Sequence, residues 1–198
     1  DFLRAIGIEP EDVITVFIPD TYEFWWNTGA EAFTERMHRE YGMFWEGERD
    51  QKANKLKMSR KEVIILASII EKETQKNDEK PVIAGVYLNR LRDGWPLQAD
   101  PTVVYAVGDF EMKRVLTVHT QIDSPYNTYL RTGLPPGPIC IPSAASINAV
   151  LDYKKHDYMF FCARADLSGY HAFSRTLAEH NRFAMAYQKA LNERKIYQ

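Results

Sequence analysis

The segment Leu66-Ala-Ser-Ile-Ile-Glu71-Lys-Glu73-Thr74 sets two carboxylates at the end of the most apolar stretch of the chain. On a helix turning 100° per residue, with Glu73 as zero, Leu66 lies at about 20°, Ile69 at about −40°, Ile70 at about 60°, Val63 at about 80° and Ile65 at about −80°. Glu73 therefore points into the middle of the apolar face. Glu71 falls at about 160°, on the side of Ser68 and Lys61, and reads as the solvated one of the pair. A carboxylate closing a buried stripe is costly as an anion. Desolvation raises its pKa from ~4.3 toward ~6 or above, which keeps it protonated near neutral pH. That is the state a general acid needs. The plainer alternative is that the helix ends near Thr74 and Glu73 emerges into water or pairs with a base such as Arg90.

Glycoside hydrolysis by two acids requires carboxyls about 5–5.5 Å apart for retention and about 6.5–9.5 Å apart for inversion. Asp100 and Asp123 are the candidates for a second acid. Both also suit plain turn chemistry, Asp100 before Pro101 and Asp123 before Ser124-Pro125. Aromatic side chains on loops present apolar area beside a polar handle, as a sugar platform does. Trp95, Tyr126 and Tyr129 are placed for that, although core packing is the commoner use of such residues.

Other chemistries find little support. The histidines at 38, 119, 156, 171 and 180 include no i,i+4 pair, so neither a helical zinc site nor any other metal or cofactor is expected. Neither a Gly-x-Ser-x-Gly elbow nor a phosphate-cradling glycine loop is present. Cys140 with His171 or His180 has the makings of a thiol nucleophile, but an isolated Cys among Ile and Pro reads first as a small packed hydrophobe.

The elements that must position these groups follow from periodicity and punctuation. Residues 1–27 read as a mixed strand and loop segment packed on a main body of residues 28–198, since Pro10 and Pro19 argue against one continuous helix. Thr28 and Glu31 have capping-box form, and Ala30, Phe33, Met37, Tyr41 and Phe44 recur at helical spacing to about Glu48, followed by a charged connection. Ser59 and Glu62 repeat the capping box and open a central helix through Val63–Thr74. A third helix starts near Pro81 and stops before Gly94, with Val82, Val86 and Leu88–Leu91 as its core face. The next roughly fifty residues, to Pro142, are dense in turn formers, and loops that long usually serve a site. A short helix follows Ser143. Strand-like Tyr158–Ala163 and Tyr170–Phe173 flank a turn at Asp166–Gly169, and a last helix is capped by Thr176 and Glu179. The class is α+β, mainly helical, with a β-hairpin and a long loop-rich segment.

At 198 residues, the chain suits one large domain or a domain with a small appendage. A hydrophobic share of 45% with 26% charged residues is that of a folding globular chain. The formal charge of −2, from 25 basic and 27 acidic residues, supplies no field for a phosphate backbone, and no nucleic acid partner is expected. The longest apolar run, Val63–Ile70, falls far short of the ~20 residues of a membrane span. Asp1 in place of Met points to an excised portion of a longer chain. Two cysteines, Cys140 and Cys162, make no disulfide scaffold and do not identify the compartment.

Taken in order, these motifs resemble one family, the endolytic murein transglycosylases of the YceG-like (MltG) group. Leu66-Ala-Ser-Ile-Ile-Glu-Lys-Glu-Thr74 resembles that family's catalytic helix, Val86-Tyr-Leu-Asn-Arg-Leu91 its next helix, and Leu97-Gln-Ala-Asp-Pro-Thr-Val103 its cleft strand. Tyr126-Asn-Thr-Tyr129, Gly133-Leu-Pro-Pro-Gly-Pro-Ile139 and His171-Ala-Phe173 match in order, within a likeness running from Phe17 to Asn181. The chain departs from the pattern after Ile139, where Ile141-Pro-Ser143 replaces a frequent Asn-Pro-Gly. The amino-terminal membrane helix and LysM-like region typical of the family are absent from it.

The resemblance implies a lysozyme-related catalytic domain with Glu73 as its catalytic acid, cleaving MurNAc-β-1,4-GlcNAc bonds within peptidoglycan glycan strands to leave 1,6-anhydro ends. It implies sugar contacts from Gln98, Asp100, Thr102, Tyr126, Asn127 and Tyr129, and no cofactor. It further implies a place in the cell envelope beside cell-wall synthases, at the outer face of the cytoplasmic membrane, held by an anchor this chain lacks, with a role in sizing new strands. The alternatives are a two-carboxylate glycoside hydrolase and a noncatalytic wall-binding module.

Overall fold

The apolar run at residues 63–70 becomes the centre of the molecule. In the computed structural model, which describes residues 2–112 and 114–194, it lies in helix α4, Arg60–Glu73, and every residue from Val63 to Ile70 is buried. The expected capping box opens the helix: the Ser59 hydroxyl accepts from the Glu62 N–H while the Glu62 carboxylate accepts from the Ser59 N–H. The helix stops at Thr74, whose backbone is extended.

Two helices pack most closely on it. α5, Lys80–Arg92, begins with Pro81 in its first turn and ends before Gly94, at φ 69°, in the left-handed region that glycine enters without strain. Val86 faces the core as expected. Val82, Leu88 and Leu91 are only half-buried, and Ile83, Ala84 and Tyr87 turn inward in their place. On the far side of α5 the chain at 154–158 lies so close that a Cβ on Gly85 would meet Lys154 O and His156 Nε2 at 2.5 Å. α7, Ala144–Leu151, is capped by Ser143, whose side chain accepts from the Ser146 N–H, and it lies across α4 and α5.

The amino-terminal part differs from expectation. Residues 2–27 hold no strand; they form the short helix α1, Phe2–Ala5, and a 3-10 helix at Pro10–Val16 with Pro10 in its first turn. The segment does pack on the body, through buried Val16 and Ile18. α2, Ala30–Trp45, starts one residue later than the motif suggests, because the Thr28 hydroxyl turns back to Trp25 O (2.7 Å) and leaves Gly29 as the cap. The charged connection is itself a helix, α3, Glu48–Leu56. Only Ala53 of it is buried, so apolar periodicity had little to reveal. Its support is ionic, with Lys52 bridging Glu48 (2.7 Å) and Asp152 (2.6 Å).

The described residues of the turn-rich stretch hold a 3-10 helix at His119–Gln121 and the helix α6, Asp100–Val107, with Pro101 in its first turn and Gly108 (φ 79°) ending it. A helix therefore stands where the family resemblance suggested a cleft strand. A proline at its start lacks the N–H that a strand ladder needs and suits a helix's first turn. Farther on, β1, Phe160–Ala163, pairs antiparallel with β2, His171–Ser174, with Phe161 opposite Phe173. The closing helix α8, Leu177–Glu193, has the expected capping box of Thr176 and Glu179. The fold is α+β and mainly helical, as expected. No helix among the described residues is long and apolar enough to cross a membrane.

Candidate active site

Glu73 is the last residue of α4, and its carboxyl opens into a cleft of about 420 Å³ whose other walls include Asp100, Val104, Tyr105, Phe110 and Ile139. Tyr87, from the inward face of α5 and 1% exposed, donates its hydroxyl proton to Glu73 Oε1. The alternative partner, Arg90, makes no ion pair with Glu73. Its Nε donates to Met159 O at 2.8 Å and its Nη1 to Leu97 O, so backbone carbonyls hold it. Burial pushes the Glu73 pKa up; the Tyr87 hydrogen bond pulls it down, the negative Asp100 pushes up, the positive Arg90 pulls down, and the balance lies at about 7.

Glu71 is not the solvated carboxylate its position on the wheel suggested. Its Oε2 accepts from Lys80 Nζ (3.2 Å), from the Ser143 hydroxyl (2.6 Å) and N–H (3.3 Å), and from the Ser146 hydroxyl. Burial acts to raise its pKa, but the two serine hydroxyls and the Lys80 ammonium outweigh it and hold the group at about 2. The wheel was sound about direction but blind to what lay there. Its polar side meets the amino-terminal end of α7 and the start of α5.

Tyr129 donates its hydroxyl to Oδ1 of Asp100 on the cleft wall, and burial together with that bond raises the tyrosine's pKa. Thr128 makes this meeting possible. Its Oγ1 accepts from the Ala99 N–H (3.0 Å) and pairs with Thr102 Oγ1 (2.8 Å), while its carbonyl accepts from the Gln98 N–H (3.0 Å).

Two expected sugar contacts are closed to any ligand. Thr102 is fully buried in the threonine pair. Asn127, also fully buried, donates to Thr120 O (3.0 Å) and Ile122 O (2.8 Å) and accepts from the Tyr129 N–H (3.0 Å), so it organises the turn that carries Tyr129. Small polar side chains beside turns satisfy backbone groups, and these two do so completely.

Gln98 is exposed at φ 49° beside the cleft. Tyr126 is half-buried, its ring 4.7 Å from that of Tyr105. Asp123 points to solvent with a side chain 90% exposed and pairs with Arg131 at 2.8 Å. Trp95 stands edge-on to Phe160, away from the cleft.

Neither cysteine has the setting of a nucleophile. Cys140 donates to Ser68 O and burial raises its pKa; burial raises that of Cys162 as well. His171 is taken by Glu79, Nδ1 to Oε2 at 3.0 Å. No group of His, Cys, Asp and Glu able to hold a metal occurs among the described residues. Tyr87 and Thr128 are the side chains bonded to the candidate site residues or their backbone that the sequence did not disclose. Ile83 and Tyr87 stand four apart on the inward face, and that spacing was the available signal for Tyr87.

The chain resembles known proteins over most of its length. Residues 4–186 match the YceG-like family. An endolytic murein transglycosylase of Bacillus subtilis (strain 168) is 43% identical over 140 residues, covering 71% of this chain and 38% of that protein. One of Streptococcus pneumoniae serotype 2 is 38% identical over 106 residues, covering 52% of this chain and 19% of that protein. The chain thus spans well under half the length of either relative. A solved yceG-like protein from Listeria monocytogenes superposes with a TM-score of 0.75 at 36% identity, covering 91% of this chain and 62% of that one.

Proposed function

This chain belongs to the YceG-like family, and from that premise we propose that it is a lytic transglycosylase domain cleaving MurNAc-β-1,4-GlcNAc bonds within peptidoglycan strands, with Glu73 as acid and then base. The observation that carries the reading is a carboxyl on the cleft wall with no ion-pair partner and a pKa raised to about 7 by burial. In the first step the protonated Glu73 gives its proton to the glycosidic oxygen as the C1–O bond breaks and positive charge develops at C1. In the second, the carboxylate takes the proton from the MurNAc 6-hydroxyl while that oxygen bonds to C1 and closes the 1,6-anhydro ring. Water is not consumed. An internal nucleophile acts at high effective molarity, so one carboxyl suffices.

Tyr87 and Arg90 stabilise the carboxylate between the two steps, the first by its hydrogen bond and the second by its charge. Asp100 on the cleft wall, with Tyr129 hydrogen-bonded to it, faces the sugar and polarises its N-acetyl group in this reading, and Gln98 and Tyr126 are assigned as further contacts. By the same reading the domain works in the cell envelope, at the outer face of the cytoplasmic membrane. There it would act beside cell-wall synthases and size new strands.

Asp100 gives one rival reading substance. It lies in the same cleft and its charge raises the Glu73 pKa, so a two-carboxylate hydrolase is a chemical possibility. Mass spectrometry of products from purified glycan strands separates the two. Fragments one water lighter than hydrolysis products, absent with Glu73→Gln, support the transglycosylase. Hydrated reducing ends support the hydrolase, and intact strands with a folded wild type refute both in favour of a binding module.

A further inference from the structure

Phe110 stands 69% exposed on the wall of the cleft that holds Glu73 and Asp100. Single exposed apolar side chains are common, and this one is set apart by its place on the cleft wall and by the way it is held. Gly108, at φ 79°, ends α6, and the next residues form a tight turn. Asp109 Oδ1 accepts from the Glu111 N–H (3.1 Å) and Asp109 O from the Met112 N–H (3.3 Å). Phe110 sits at the tip of that turn, presented by it rather than folded beneath it.

Its ring is the outermost of a ladder. Phe110 meets Tyr105 nearly edge-on, centroids 6.0–7.0 Å apart being the usual outer range for such pairs and 6.4 Å the separation found. Tyr105 lies 4.7 Å from Tyr126. Tyr126 in turn presses on Gly137, where a Cβ would come within 2.9 Å of its hydroxyl. The inner end is therefore fixed by the close approach at Gly137 and the outer end by the turn, so the exposed ring is oriented before any ligand arrives.

We propose that Phe110 forms a pyranose-stacking subsite in the cleft. The proposal deepens the reading of the preceding subsection and rests on it for the identity of the sugar. The chemistry favours a saccharide over other occupants. The lining combines the apolar ring and Val104 with the carboxyl groups of Glu73 and Asp100 and the charged side chains of Lys72 and Arg114. A pyranose has a C–H face for the first and a hydroxyl edge for the second. An acyl chain would leave the polar groups of the lining unmatched. The volume of about 420 Å³ is within the range of ligand clefts.

The test uses this chain with Glu73→Gln, to suppress turnover, titrated calorimetrically with a GlcNAc-MurNAc tetrasaccharide, alone and with Phe110→Ala or Phe110→Trp added. The expected result is affinity about tenfold weaker with Ala and restored to within about twofold by Trp. In proton NMR the sugar C–H resonances move upfield on binding the Phe110 form, through the ring current, and do not with Ala. In the active enzyme Phe110→Ala raises KM about tenfold while kcat changes less than about threefold. Undiminished binding by a folded Ala variant, a loss that Trp does not restore, or no binding by the Phe110 form overturns the subsite. Phe110-dependent binding by a wild type that leaves strands intact keeps the subsite and refutes the proposed reaction instead.

Discussion

Glu71 and Glu73 stand one helical step either side of Lys72 at the end of α4, yet their carboxyls are held at about 2 and about 7. Burial acts to raise both, and what differs is the company. Glu71 meets two hydroxyls and an ammonium, whereas Glu73 meets one tyrosine hydroxyl, a distant cation and a neighbouring anion. Carboxyl pairs whose environments separate their pKa values mark a division of labour between an ionised support and a proton donor.

Replacing Glu73 with Gln is expected to abolish turnover and to stabilise the fold at alkaline pH. The folded pKa of about 7 exceeds the unfolded value near 4.5, so the folded state holds a proton that the unfolded state has lost between those limits. The contribution of Glu73 to stability is thus fullest below about pH 4.5 and is lost as pH rises through about 7, and Gln removes that dependence. Denaturant titrations should show Glu73→Gln more stable by about 1–3 kcal/mol at pH 8 and equal near pH 4. Equal stability at both pH values would count against a buried neutral carboxyl.

Glu71→Gln is expected to act through stability. With its folded pKa at about 2, Glu71 contributes stability that is present above about pH 4.5 and lost as pH falls through about 2. The substitution leaves the Lys80 ammonium, its side chain only 5% exposed, without a counter-charge. The cost is about 2–3 kcal/mol at pH 7, or a Tm lower by roughly 5–10 °C. Activity below the transition should persist, and loss of turnover equal to that of Glu73→Gln would show the division of labour to be wrong.

Tyr87→Phe removes the hydrogen bond that favours the ionised Glu73. The alkaline limb of the pH–rate profile, set by the loss of the acid's proton, should move upward by about one unit, with kcat falling about tenfold because the carboxylate between the two steps is less stabilised. A profile unmoved by this change would mean that Tyr87 contributes packing alone.

Thr128→Val should loosen the meeting of Asp100 and Tyr129 without touching either. It leaves the buried Ala99 N–H and Thr102 hydroxyl without a shared partner, a cost of about 1–3 kcal/mol. The expected readouts are a Tm lower by roughly 3–6 °C and a raised KM for glycan strands. Thr128→Ser, which keeps the hydroxyl, should restore most of both.

Local chemistry made much of this molecule legible in advance. Ser59 with Glu62 and Thr176 with Glu179 mark helix starts because a cap involves residues three apart, and the turn of 100° per residue aims Glu73 at the apolar face whatever lies beyond. The same locality explains the misses. α3 carries almost no apolar signal because its support comes from Asp152 on another element. Glu71 looked solvated because Ser143, which binds it, lies 72 residues away in sequence. Thr102 and Asn127 looked like sugar contacts because their polarity is visible in sequence, whereas the backbone and side-chain groups that consume it are not. The sequence by itself determined the capped helices α4 and α8, the proline-led α5, the hairpin and the direction of Glu73. Tertiary structure alone decided which carboxyl stays neutral, since a pKa is set by burial and by charges that only packing brings together.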